Sequence, residues 1–187
     1  QPFVTLAQFS DELYGRTLCV NGVSKAYAMT GWRLGYGAGP AGLIGAMANV
    51  QGQSTACPSS IGQAAAIAAL TGGQELLAER AAIMQARRDL ICRLLNDCPG
   101  LNCHPPGGAM YIFCSCAGLI GARTPDGGRI ESDGDFTAYL LQAAGIAVVT
   151  GAAYGLSPYI RISFAMPEAG LAAAAARIHA ACESLAV

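Results

Sequence analysis

Residues 74–97 divide this chain in two. Apolar side chains recur there at helical spacing, among them Leu77, Ala81, Met84, Ile91 and Leu95, and neither glycine nor proline interrupts them. That pattern predicts one long amphipathic helix, with Glu79, Arg80, Arg87 and Arg88 on its solvated face. Upstream, helical patterns dominate: residues 41–50, then an Ala-rich segment running from an N-cap at Ser59 to residue 70 and closed by Thr71-Gly72-Gly73. Downstream of Pro99-Gly100, strand patterns at 109–116, 146–150 and 159–165 alternate with helical ones at 135–144 and 169–185. Thr124-Pro125-Asp126-Gly127-Gly128 reads as an exposed turn, residues 1–15 as an irregular lead-in, and no internal repeat is evident. The expected fold class is α/β, with a domain over residues 1–97 that includes the long helix, and a small α+β domain over residues 98–187.

Composition narrows the function classes. Hydrophobic residues make up 53% of the chain, enough for a sizeable core, and a net charge of -1 implies no basic surface for nucleic acid. No apolar run escapes interruption for long enough to span a membrane. The start, Gln1 to Glu12, lacks the basic segment and long apolar core of a secretory leader, and it lacks an initiator Met, as a processed or engineered boundary would. The eight cysteines show no C-x-x-C spacing, and only His104 and His179 are available to assist them as metal ligands. Buried, reduced thiols in a cytoplasmic protein are therefore expected, with no metal site and no disulfides.

Of the eleven Lys and Arg residues, only Lys25 is a lysine. An amine can lose its proton and attack a carbonyl, whereas a guanidinium stays charged. Keeping one amine in an arginine-rich sequence suits imine formation; the alternative is an exposed lysine with no special duty. The flanks favour the first reading. Residues 16–21 end as a strand that Gly22 breaks, residues 34–37 make a second strand, and Pro40 opens a helix. Lys25 thus sits on a loop at a strand end, where α/β folds place ligands. Ser24 adds a hydroxyl, and Arg33 a planar fork suited to phosphate. Amine, hydroxyl and guanidinium together match pyridoxal 5'-phosphate, which carries one aldehyde and one phosphate.

The stretch S-K-A-Y-A-M-T-G-W-R-L-G-Y, Ser24 to Tyr36, resembles the lysine signature of the class I pyridoxal-phosphate-dependent aminotransferases of the aspartate aminotransferase type. The resemblance implies that Lys25 bonds to the cofactor aldehyde and later acts as general base, that Arg33 contacts the phosphate, and that Ser24 assists. Many relatives place a further hydroxyl three residues before the lysine; Gly22 stands there in this chain, which shifts phosphate contacts towards backbone N–H groups. Gly107-Gly108-Ala109-Met110-Tyr111 matches a strand motif of the family's small domain, and Tyr154 to Ser163 resembles the segment that carries its substrate-binding arginine. That role falls on Arg161. A planar α-carboxylate takes two parallel N–H bonds from a guanidinium, and strand alternation puts Tyr159, Arg161 and Ser163 on one face. The competing reading of Arg161 is a structural ion pair. The resemblance also implies that the chain is the C-terminal portion of such a protein: the last part of the cofactor-binding large domain with its bridging helix, then the small domain. The implied reaction is amino-group transfer between an amino acid and a 2-oxo acid. The implied assembly is a homodimer, or association with a missing N-terminal half.

Two alternatives stay open: a non-catalytic aminotransferase-like binding module, and pyridoxal-phosphate-dependent lyase chemistry on the same scaffold. A dinucleotide site is rejected. Gly37 to Gly42 spells G-x-G-x-x-G, but the next acid is Glu75 and Pro40 removes an N–H where a pyrophosphate would sit. No serine-hydrolase elbow exists, because Ala26 stands where glycine is required after Ser24. The chain alone is expected to be incompetent in transfer. Relatives carry an acid at the pyridine nitrogen, a tyrosine and asparagine at the ring oxygen, and a phosphate loop upstream of the lysine signature. Asp11-Glu12-Leu13-Tyr14 looks like the acid-and-tyrosine motif but lies too close to Lys25 to serve as it.

Overall fold

The computed structural model describes residues 4–186, and the chain falls into two compact units, Gln1–Ala78 and Glu79–Val187. Within the first unit the lead-in is not irregular throughout. It holds a 3-10 turn and then helix α1 (Asp11–Arg16); residues 1–3 lie outside the described residues. Ser10 explains the helix: its hydroxyl accepts from Leu13 N–H at 3.2 Å, acids fill the first turn, and Arg16 closes on Glu12 at 2.9 Å. These end signals outweigh Gly15.

Strand β1 (Cys19–Gly22) pairs antiparallel with β2 (Gly35–Ala38), so that Gly22 faces Gly35. Helix α2 (Ala41–Ser54) follows Pro40 at its N-cap, and α3 (Ser60–Thr71) follows Ser59. Ser59 takes the expected N-cap position without the expected side-chain bond. Its carbonyl accepts from Gln63 N–H at 2.9 Å, and the Gln63 amide donates to Pro58 O at 2.9 Å. Burial in this unit is confined, among the described residues, to Val23, Gly62 and Ala66. From Leu34 to Gln74 there is no charged residue and no histidine, yet Val50 is 70%, Ile61 73% and Ile67 62% exposed. Of the G-x-G-x-x-G glycines only Gly39 is packed tightly: a Cβ there would stand 3.0 Å from Thr17 O, whereas one on Gly42 would meet nothing within 4 Å.

Helix α4 (Glu75–Asn96) starts in the first unit and enters the second, where Ile91, Cys92 and Leu95 join the core. The second unit is a four-stranded antiparallel sheet, in the order β3 (Asn102–Cys103), β4 (Tyr111–Ser115), β6 (Tyr159–Ser163), β5 (Val149–Thr150). Ile112 and Cys114 of β4 and Ile160 and Ile162 of β6 are buried, while the residues alternating with them are not. That buried face packs with α4, with α5 (Asp133–Tyr139) and its π-helical extension to Ala144, and with α6 (Glu168–Glu183). Phe136, Leu140, Leu171 and Ile178 fill the layer between. Helix α5 begins two residues before the expected start, because Ser132 accepts from Asp135 N–H and its hydroxyl donates back to the Asp135 carboxylate. Of the strand expected at 146–150, only Val149 and Thr150 are paired.

The cysteine expectation holds in part. Cys103 and Cys114 are direct partners in the β3–β4 register, their Cα atoms 4.5 Å apart, and they are joined as a disulfide; sequence spacing carries no information on register. Cys92, Cys98, Cys116 and Cys182 are free and buried. Burial pushes the Cys98 and Cys116 thiols up to about 11 and Cys182 to about 12, so they remain protonated and behave as small apolar side chains. Among the described residues, no helix is long and apolar enough to cross a membrane.

Asp133, at the start of α5, is the one buried charged side chain among the described residues, at 2% exposure. Its carboxylate accepts from Thr150 Oγ1 at 2.5 Å, Ala152 N–H at 2.9 Å and Ser157 Oγ at 2.6 Å. Burial alone would raise its pKa; the bonds from Ser157, Thr150 and Ala152 reverse that and hold the carboxyl below its ordinary value. Asp133→Ala is expected to cost about 2–3 kcal/mol in urea denaturation at neutral pH, because three donors lose their acceptor. A depressed carboxylate stabilises the fold above the unfolded value of ~4 and loses that contribution as pH falls through its folded value. The gap between wild type and Asp133→Ala should therefore close in acid, not in base.

Candidate functional site

Lys25 lies in the turn Ser24–Tyr27 between β1 and β2. The turn is fixed at both ends. Val23 is fully buried on one side, and on the other the Tyr27 hydroxyl donates to Gln74 Oε1 at 2.7 Å. Gln74 is itself held, donating to Ala69 O and Gly72 O. Between these anchors the Lys25 side chain is exposed and Ser24 half-buried. Neither side chain makes a hydrogen bond or ion pair with another described residue, which leaves amine and hydroxyl available to a ligand.

The backbone around this turn is unusual. Ala28 and Arg33 have φ values of 55° and 52°, in the left-handed region that side chains normally avoid. Such conformations cost of order 1–3 kcal/mol each and cluster where a group must be aimed. Arg33 ends a 3-10 turn, Thr30–Trp32, and its guanidinium donates to Thr30 O at 3.1 Å, which leaves further N–H groups free. Gly22, where relatives were expected to differ, is tight: a Cβ there would stand 3.2 Å from Leu34 O. Beside the loop, Ala28, Gly31, Trp32, Ser59, Ile61 and Gly62 line an open cleft of about 410 Å³. The first unit thus brings Ser24, Lys25 and Arg33 onto one loop.

Arg161 lies in the second unit, on β6. Its side chain stands on the face opposite Ile160 and Ile162, as strand alternation predicts. Phe113 is its cross-strand partner on β4 and Val149 on β5. The guanidinium carbon lies over two tyrosine rings, 4.4 Å from the Tyr111 centroid and 4.6 Å from that of Tyr154. Tyr154 in turn meets Phe113 edge to face at 5.6 Å. No described carboxylate pairs with Arg161, so the competing expectation of a structural ion pair is not realised among the described residues.

Three contributors were not singled out from the sequence. Tyr111 and Tyr154 sit inside the quoted motifs, but only the sheet register and a 3-10 turn bring their rings to Arg161. Asp133 is one of three acids between Glu131 and Asp135, and its burial depends on donors 17 to 24 residues away.

Comparison with known proteins identifies the family. The profile of the family Aminotransferase class I and II matches residues 2–178. An aspartate aminotransferase of Rhizobium meliloti (strain 1021) is 58% identical over 98% of this chain, and the chain covers 45% of that protein. An aspartate/prephenate aminotransferase of Cereibacter sphaeroides is 50% identical over 98% of this chain and 46% of its own length. The crystal structure of the aspartate aminotransferase from Rhizobium meliloti superposes with a TM-score of 0.95, at 58% identity, over 98% of this chain and 46% of that one. The chain spans less than half the length of these relatives. With the family profile matching nearly every residue and a solved relative superposing along almost the whole chain, this chain is a member of the class I and II aminotransferase family.

Proposed function

We propose that this chain is part of an aminotransferase that moves an amino group between an amino acid and a 2-oxo acid, with pyridoxal phosphate held at Lys25. The observation that carries the reading is the loop itself. The only lysine of the chain is displayed between two anchors, next to a serine and on the same loop as an arginine whose backbone is left-handed. This donor set fits the cofactor: an amine for its aldehyde, Ser24 and Arg33 for its phosphate. When bound, pyridoxal phosphate supplies an acceptor for the amino group and a ring that draws electrons from the substrate Cα. Lys25 Nζ holds the cofactor and, once free, takes the proton from the substrate Cα as general base. Arg161 grips the substrate α-carboxylate through two N–H groups, which fixes the orientation of the Cα–H bond. The named relatives act on aspartate or aspartate and prephenate, and the same class of dicarboxylic amino donor is the first to test here.

The uncharged, exposed helices α2 and α3 point to further polypeptide over the first unit, either the remaining sequence that the relatives carry or a second copy. Sedimentation of the isolated 187-residue chain is expected to show concentration-dependent self-association; a monodisperse monomer throughout would contradict this. The isolated chain, given pyridoxal phosphate, aspartate and 2-oxoglutarate, is expected to show no measurable transfer.

Activity is testable in a chimera, with this chain replacing the matching 45% of the Rhizobium meliloti aspartate aminotransferase. The chimera should turn over, and Lys25→Arg should abolish transfer while keeping the charge. Arg161→Lys should cost about 2–4 kcal/mol in kcat/KM for amino acids and largely spare cofactor binding. Unchanged amino-acid kinetics with weakened cofactor binding would show that Arg161 serves the cofactor instead.

A further inference from the structure

We propose that Tyr111 and Tyr154 are positioning residues that clamp the Arg161 guanidinium and make it select planar carboxylates over tetrahedral anions. This rests on the reading of Arg161 as the carboxylate-binding residue. The guanidinium carbon stands 4.4 Å and 4.6 Å from the two ring centroids, over the face of each. Two aromatic faces thus bear on one cation, which the ring quadrupoles attract.

Each ring is held in its own way. Tyr111 is fixed by β4, one pleat along from the Phe113–Arg161 pair. Tyr154 meets Phe113 edge to face and sits within the segment that Asp133 ties down through Thr150, Ala152 and Ser157. With the rings against it and no described carboxylate paired to it, the guanidinium keeps N–H groups for a ligand. A carboxylate lies in the guanidinium plane and takes two parallel bonds there. A phosphonate making the same two bonds carries a third oxygen out of that plane. That oxygen and the alkyl group crowd the rings, so the phosphonate keeps only one of the two bonds.

NMR of the full chain with isotope-labelled arginine reads the clamp in two ways. With no anion present, ring currents should move the Arg161 Nε–H signal upfield of the exposed arginines. Tyr111→Leu and Tyr154→Leu should each reduce that shift, and Tyr111→Phe and Tyr154→Phe should keep it. Propionate and ethylphosphonate are then titrated at a pH where each carries one negative charge. Wild type should bind propionate about tenfold tighter, the ratio expected for one lost hydrogen bond. The Leu variants should bring the ratio towards one, and the Phe variants should retain it. An unshifted Arg161 signal or equal wild-type affinities overturns the clamp, as does an equal loss for both anions in the Leu variants. The wild-type shift and ratio need no substitution, so a misfolded Leu variant leaves the test intact. Arg161→Lys separates the two claims. Unchanged propionate binding in that variant refutes Arg161 as the carboxylate residue, while the ring-current shift still decides the clamp.

Discussion

The buried carboxylate of Asp133 organises the second unit. Asp133 could not be kept ionised at 2% exposure without partners, because an unpaired buried charge is among the costliest features a fold can carry. Its three donors come from Thr150, Ala152 and Ser157, so the cost of burial is offset only while the segment 150–157 is wrapped around it. That segment carries Tyr154 and runs directly into β6. The carboxylate therefore acts at a distance: it fixes a loop, the loop fixes a ring, and the ring bears on the guanidinium of Arg161.

The first unit is held together differently. It buries little, and its lysine turn is defined by local anchors rather than by a core: Val23 below, the Tyr27–Gln74 bond beyond, and two non-glycine residues in left-handed conformations after it. Such strain persists only when neighbours enforce it. An uncharged tract with exposed isoleucines and valine, over helices that bury almost nothing, has the character of an interface rather than of a solvated surface. Rigid aim at the lysine and unfinished burial around it are both intelligible if this unit is completed by other polypeptide.

Much of this was legible in the sequence because it is local. Periodicity marked α4, alternation marked β4 and β6, and proline and glycine marked the ends of α2 and α3. The lysine, its hydroxyl neighbour and Arg33 are close in sequence, so their common loop followed from the flanking strands. Non-local features were not readable. The Cys103–Cys114 bond depends on the β3–β4 register, and the Asp133 network on contacts across 17 to 24 residues. The tyrosines on Arg161 depend on which strands are neighbours. Helix α1 was local but overlooked, since the Ser10 cap precedes a segment with Gly15 inside it.

The central claim is that Lys25 is the residue that bonds the cofactor. As the only lysine, it competes with one other amine, that of the chain terminus. Incubating the chain with pyridoxal phosphate, reducing with borohydride and mapping the peptides by mass distinguishes the two. The account predicts a pyridoxyl group on the peptide containing Lys25, lost in Lys25→Arg; label confined to the terminal amine would contradict it.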